Sequence, residues 1–305
     1  MLRTSLKTGL EQLHANWRMV LVYYLSSLVF GLILTLPMWT SLRRFIGASE
    51  MGALLAGRLD WDFAIEFLHN NPSLLPTLQR LLVLMFLLHT LWSLFLSGGA
   101  FAIFAAGRRY EPAVFWSGAA KYFGRFLRLS AWSLLPAFAL LLLLFLPGLL
   151  KRVIFGSDPY ENVGYWMGWV TVGWSYVCLL FFKLVFDYAR IHVVMAEDRQ
   201  MRFALAEGLR FVLRNFARAF ALSLLFFCTG LLVLAIYNPL ADSLAAPSAL
   251  VIFLLFVLQQ AYLFWRKALG LALDASQVQL YRESQRAAHE EPQPANELGW
   301  EGAWA

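Results

Sequence analysis

Charge is what this sequence has least of. Asp, Glu, Lys and Arg make up 14% of its 305 residues, against about 25% in a soluble domain. With 60% of the chain apolar, there is too little polar surface to clothe a water-soluble enzyme and too much hydrophobicity for a disordered chain. Cysteine is scarce too. Cys178 and Cys228 both lie inside long apolar runs, so there is no disulfide framework and no CxxC metal spacing. The chain also lacks a nucleotide-binding loop, a catalytic-triad pattern and a dinucleotide fingerprint. Alternation is missing as well. The run 138–146 is apolar at every position, whereas the strands of a membrane barrel alternate apolar with polar residues.

What the sequence does have is a set of long runs without a charge: 19–42, 81–107, 129–150, 162–182, 219–241 and 243–265. A helix rises about 1.5 Å per residue and the hydrocarbon of a bilayer is about 30 Å thick, so each run is long enough to span. The predicted fold is all-α, with six transmembrane helices in a single domain over 1–286. Basic residues set the orientation. With the N-terminus inside, 18 Lys and Arg fall on the cytoplasmic side and six on the other. The positive-inside rule then places both termini in the cytoplasm. The same asymmetry accounts for the net charge of +6 without a nucleic-acid partner. The first run starts too late and is too long for a cleaved signal, and it ends in Arg43 and Arg44, so it reads as an anchor.

A short pattern recurs. Gly208, Leu209, Val212, Asn215 and Phe216 match Gly9, Leu10, Leu13, Asn16 and Trp17 in spacing and type, and Gly118, Ala119, Tyr122, Arg125 and Phe126 form a looser copy. Each copy precedes an odd-numbered span. The chain therefore reads as three units, each a cytoplasmic amphipathic helix followed by a hairpin of spans, related by an axis along the membrane normal. In the third copy Leu205, Leu209, Val212, Leu213 and Phe216 line one face, while Arg210, Arg214 and Arg218 stack on another. Such a helix is expected to lie in the interface with its arginines on anionic lipid headgroups. Of the external links, only 41–80 has room for short interfacial helices. The segment 287–305 carries Glu290, Glu291, Glu297 and Glu301 without Lys or Arg and is expected to be a disordered acidic tail.

The run Phe186-Asp187-Tyr188-Ala189-Arg190, with Val193-Val194, Ala206-Glu207-Gly208-Leu209 and Asn215-Phe216, resembles a pattern in the membrane domain attached to some glycerophosphodiester phosphodiesterases and in uncharacterised six-helix bacterial families. The resemblance covers about 185–225 well and the rest only in layout. It implies a helical protein of the bacterial inner membrane. There is no room for the soluble phosphodiesterase barrel, and no catalysis is carried over.

Several residues are candidates for function. Lys183, Asp187 and Arg190 share a helix face, with Lys183 and Asp187 one turn apart. Ionisable groups in a span mark functional sites by default, although a pair at the helix end would only orient it. His89 lies well inside the second span beside Thr90 and Ser93, and Gln259 and Gln260 lie late in the sixth. His89 with Cys178 or Cys228 would make a soft metal site, and interhelical hydrogen bonding explains the same residues without metal. In the first link Asp62, Glu66 and His69 share a face. Glu-x-x-His is half of a dimetal motif, and an interfacial helix with a polar outer face explains it equally. Gly98-Gly99 and the Gly164/Gly168 pair read as close helix contacts, Pro136 and Pro147 as a kink, and Tyr160, Tyr165, Trp166 and Trp169 as an aromatic belt.

The spans as bounded above hold no paired acidic residues, which ion-coupled carriers usually need. The reading favoured by sequence is therefore a non-enzymatic scaffold or accessory protein without a cofactor, contacting the lipid bilayer and a membrane-protein partner. A small-molecule or lipid transporter is the alternative, and a membrane-face metal hydrolase the third.

Overall fold

The computed structural model describes residues 2–47, 60–156, 160–244 and 248–290. All regular structure among the described residues is helical. In chain order the helices are α1 (Leu2–Ala15), α2 (Trp17–Ile46), α3 (Trp61–Asn70), α4 (Leu74–Ala106), α5 (Pro112–Leu144), α6 (Leu146–Phe155), α7 (Glu161–Met195), α8 (Met201–Arg214), α9 (Phe216–Ser243) and α10 (Ala249–Glu290). Six of these stretches are long and apolar enough to cross a membrane, with α5 and α6 counted together. The chain is an all-α polytopic membrane protein.

The breaks have local causes. α1 passes into α2 at Asn16 (φ −117°, ψ 27°), and α8 into α9 at Asn215 (φ −118°, ψ 28°). In each case the side-chain amide donates to the carbonyl four residues back, Gln12 or Phe211. Asparagine makes such local bonds readily outside helical geometry. The looser copy has Arg125 at this place, a good helix former, and α5 runs through it unbroken. α5 gives way to α6 just before Pro147. Proline has no N–H to offer the carbonyl four residues earlier, and that carbonyl, on Leu143, accepts instead from Trp174 Nε1 at 2.8 Å.

Packing is concentrated at one end of the bundle, here termed the basic end, where α1 and α8 lie. The fully buried side chains there include Phe101, Phe115, Phe126, Leu184, Tyr188 and Leu222. Glycines set the close approaches, Gly99 of α4 among them, where a β-carbon would lie 2.6 Å from the Phe115 carbonyl oxygen of α5. A β-carbon on Gly208 of α8 would come within 2.7 Å of the Val185 carbonyl oxygen and 2.9 Å of the Ala189 β-carbon on α7. One on Gly118 of α5 would meet the Ala102 β-carbon of α4 at 2.7 Å, and one on Gly9 of α1 would meet the Ser276 Cα of α10 at 2.8 Å. The first and last helices of the chain are thus joined. Ser5 Oγ donates to Glu283 at 3.0 Å, and Arg282 donates to the Ala105 carbonyl at 2.5 Å.

At the opposite end, the link end, the long helices present Leu, Phe and Val outward, as lipid-facing surfaces do. There α3 is capped by Asp60, whose Oδ1 accepts from the backbone N–H groups of Asp62 and Phe63. Its inner face, Phe63 and Phe67, packs on Phe45 of α2 and on Leu74 of α4.

Two boundaries differ from the sequence reading. The sixth span does not begin at 243, since α9 runs through Ser243 and α10 starts at Ala249. Nor does it end at the first charge. α10 has 42 residues, about 63 Å of helix, and its second half belongs to the core at the basic end. It also runs to Glu290, into the segment read as tail. The remainder of that segment, 291–305, lies outside the described residues.

Candidate functional site: a cavity between helices lined by charge

Helical spacing builds the site. Lys183, Asp187 and Arg190 recur at intervals of four and three, so α7 turns all three the same way. Facing them, α10 presents Gln259, Lys267, Gly270 and Asp274, and α2 presents Tyr23, Ser27, Gly31 and Thr35. With His89 of α4 these residues line a cavity of about 830 Å³. Four of its lining residues are cations, Lys183, Arg190, Arg266 and Lys267, and two are carboxylates, Asp187 and Asp274.

The ion pairs are unequal. The Asp187 side chain is 2% exposed and accepts from Lys183 Nζ at 2.5 Å and, on its other oxygen, from Arg190 Nη2. Arg190 also lies over the rings of Phe101 and Phe186, so it is held by charge and by cation–π contact. Its side chain is 14% exposed, while that of Lys183 is 50% exposed. Asp274, Lys267 and Arg266 make no ion pair among the described residues. Tyr24 donates to Gln260 at 2.7 Å across the α2–α10 wall. Tyr23 Oη, His89 Nδ1 and Arg190 Nε are buried polar atoms without a hydrogen-bond partner among the described residues.

The sequence candidates sort accordingly. Lys183, Asp187, Arg190, His89 and Gln259 come together on this one cavity. Asp62, Glu66 and His69 are exposed on the outer face of α3. No trio of His, Cys, Asp or Glu among the described residues is close enough to share a metal ion. His89 is instead edge-to-face with Phe30 at 5.2 Å. The α8 helix does not lie free in an interface, because its Met201, Ala204, Gly208, Phe211 and Val212 are buried in the bundle. Leu209 and Leu213 remain exposed. Arg210 pairs with Glu207, and Arg210, Arg214 and Arg218 border a recess of about 250 Å³ with Tyr281, Ser284 and Gln285. Gly98 and Gly99 do sit at a close contact. Gly164 and Gly168 do not, since a β-carbon on Gly168 would meet nothing within 4 Å and one on Gly164 only Lys151 Nζ at 3.9 Å.

No known family model matches this chain, and no match is found among curated proteins or solved structures.

Sequence reasoning misses Asp274 and Lys267 as site residues because it ends the sixth span at Trp265, before the next charge. A signal for Asp274 is present. Asp187 stands two residues before Ala189, the small residue under Gly208; Asp274 stands two residues before Ser276, the small residue under Gly9. The same offset in α4 falls on Ala100. The expectation that the spans hold no paired acidic residues is corrected here: two carboxylates share one cavity.

Proposed function

We propose that this protein binds a small molecule or lipid within its bundle and handles or transports it, rather than serving as a scaffold. The observation that carries this reading is the convergence of four cations and two carboxylates on one cavity. A charge at the centre of a spanning helix costs about 2.5–3.5 kcal/mol. Two helices that only need to associate do so through small residues and apolar surface, as Gly118 and Ala102 do. A scaffold has no use for Lys267 or Asp274 facing an interior space. On this reading the chain is three like units, each beginning with a lead-in helix seated on the exit helix of the preceding one. The ring closes where α1 meets α10. The basic end faces the cytoplasm of a bacterial inner membrane, so the charged half of the cavity is on the cytoplasmic side. Topology reporters fused at Arg58 and Ala204 are expected on opposite sides of the membrane.

Native mass spectrometry of the gently extracted chain tests the binding reading. The expected result is one reproducible small-molecule or lipid adduct per chain, lost in the cavity-filling variant Gly270→Phe. A bare chain, or an adduct that is another protein, would overturn it in favour of the scaffold.

A further inference from the structure

We infer that the ligand of this cavity is an anionic amphiphile, with a phosphate or carboxylate head at the basic end and an acyl chain running toward the link end. The inference rests on the binding reading above and adds the chemical class. Charge supplies the first argument. Asp187 is already claimed by Lys183 and Arg190, and half of the Lys183 side chain stays exposed. Lys267 and Arg266 face the same space with no ion pair among the described residues, and only Asp274 opposes them. Formal cations outnumber carboxylates by four to two, and an anion is the group that balances such a wall in low dielectric.

Shape supplies the second. Along α10 the cavity extends from Asp274 to Phe256, about 27 Å of helix. All of its Asp, Lys and Arg residues lie in the half nearer the basic end. The other half is lined by Leu28, Leu32, Phe256 and Leu263, with the polar side chains of Thr35, His89, Gln259 and Gln260. A charged pole and an apolar arm in one continuous space match a head and a chain, and an inorganic anion would use only the pole. Glycines keep both parts open, Gly31 in the arm and Gly270 beside the charged pole. A β-carbon on Gly31 or Gly270 would meet nothing within 4 Å. At about 830 Å³ the space suits a single-chain amphiphile.

The test uses the full chain in detergent, titrated by native mass spectrometry with lysophosphatidylglycerol, chain-matched lysophosphatidylcholine and inorganic phosphate. The expected result is one bound lysophosphatidylglycerol, preferred over the zwitterion by about tenfold, the effect of one ion pair worth about 1.4 kcal/mol. Lys267→Gln should abolish the preference without lowering the thermal midpoint, since no carboxylate loses a partner. Gly31→Leu should weaken the lipid and leave any phosphate binding unchanged. Equal binding of both lipids, or binding indifferent to both substitutions, would overturn the inference by marking the lipid as annular. Phosphate binding without lipid would overturn the amphiphile and keep a ligand-binding cavity. Binding of none of the three, alongside a persistent natural adduct of another kind, would overturn the anionic class alone. Binding of none and no natural adduct would remove the binding reading too.

Discussion

The two ends of this bundle use the same amino acids under different rules. At the basic end Leu222 is fully buried; toward the link end Leu142 is 62% exposed, and both sit in long apolar helices. The basic end is a protein core, with glycine-mediated contacts, buried aromatic rings and a buried ion pair. The link end is a set of outward-facing apolar helices with a small cluster of its own, around Phe63 and Phe67 of α3. Lipid satisfies apolar surface as well as another helix does, so hydrophobicity drives no packing there. Close packing needs small residues and polar pairs, and the basic end has them. The cavity lies where one regime passes into the other. Its charges hold to the packed side and its apolar arm to the lipid side.

The largest expected effect breaks the packed half electrostatically. Asp187→Leu leaves Arg190 buried without its countercharge and should cost about 3–5 kcal/mol, read as a fall in the detergent thermal midpoint followed by tryptophan fluorescence. Asp274→Asn, which removes no ion pair, should leave that midpoint nearly unchanged. If the two variants unfold alike, the distinction between a structural and a ligand-facing carboxylate fails.

Truncation compares the two regimes directly. Leu222→Ala should destabilise by about 2–5 kcal/mol, the range for a fully buried leucine, while Leu142→Ala should fall within measurement error in lipid nanodiscs. Equal losses would mean that the link end packs as a core.

Glycine reverses the sign. Gly208→Ala places a methyl against the backbone of α7 and should destabilise by about 1–3 kcal/mol. Gly173→Ala adds a methyl where nothing lies within 4 Å and should stabilise its helix by about 0.5–1 kcal/mol. Both are mid-helix substitutions of one methyl, read by the same thermal shift.

The smallest effect is at the turn between α7 and α8. Lys121 donates to Glu197 at 2.7 Å, and that ammonium holds the Glu197 carboxyl below its ordinary range. A depressed carboxyl pKa contributes stability above the unfolded value and loses it as pH falls through the folded one. The pair is exposed, so Glu197→Gln should change the acid limb of a stability–pH profile barely measurably. A large change would mean that this turn, rather than the glycine contacts, locks α8 onto the bundle.

Much of the fold is legible because lipid imposes a length on a helix. Six charge-free runs correspond to six helices able to cross, and the breaks at Asn16 and Asn215 fall on a residue type that leaves helical geometry cheaply. The site is half legible. Lys183, Asp187 and Arg190 stand out because charges near an apolar run are costly. Lys267 and Asp274 escape notice because a charge reads as a helix end, when α10 continues for many residues beyond it. The face of α8 is partly legible from sequence: of the apolar residues named for it, Leu209, Leu213 and Phe216 are exposed and Val212 is buried. Amphipathicity shows that a helix has an apolar side, and both lipid and a neighbouring helix satisfy that side.

By itself the sequence determined the class of solvent, the helical state and the number of spans. These follow from composition and from periodicity along the chain, and backbone groups in hydrocarbon must bond within their own helix. Only the tertiary structure decided which charges meet, that the first helix closes on the last, and that a cavity remains between α2, α7 and α10. Those outcomes depend on distances between residues up to 278 positions apart, as between Ser5 and Glu283. Small residues set those distances by letting some helices touch, and lipid leaves the others free to stand apart.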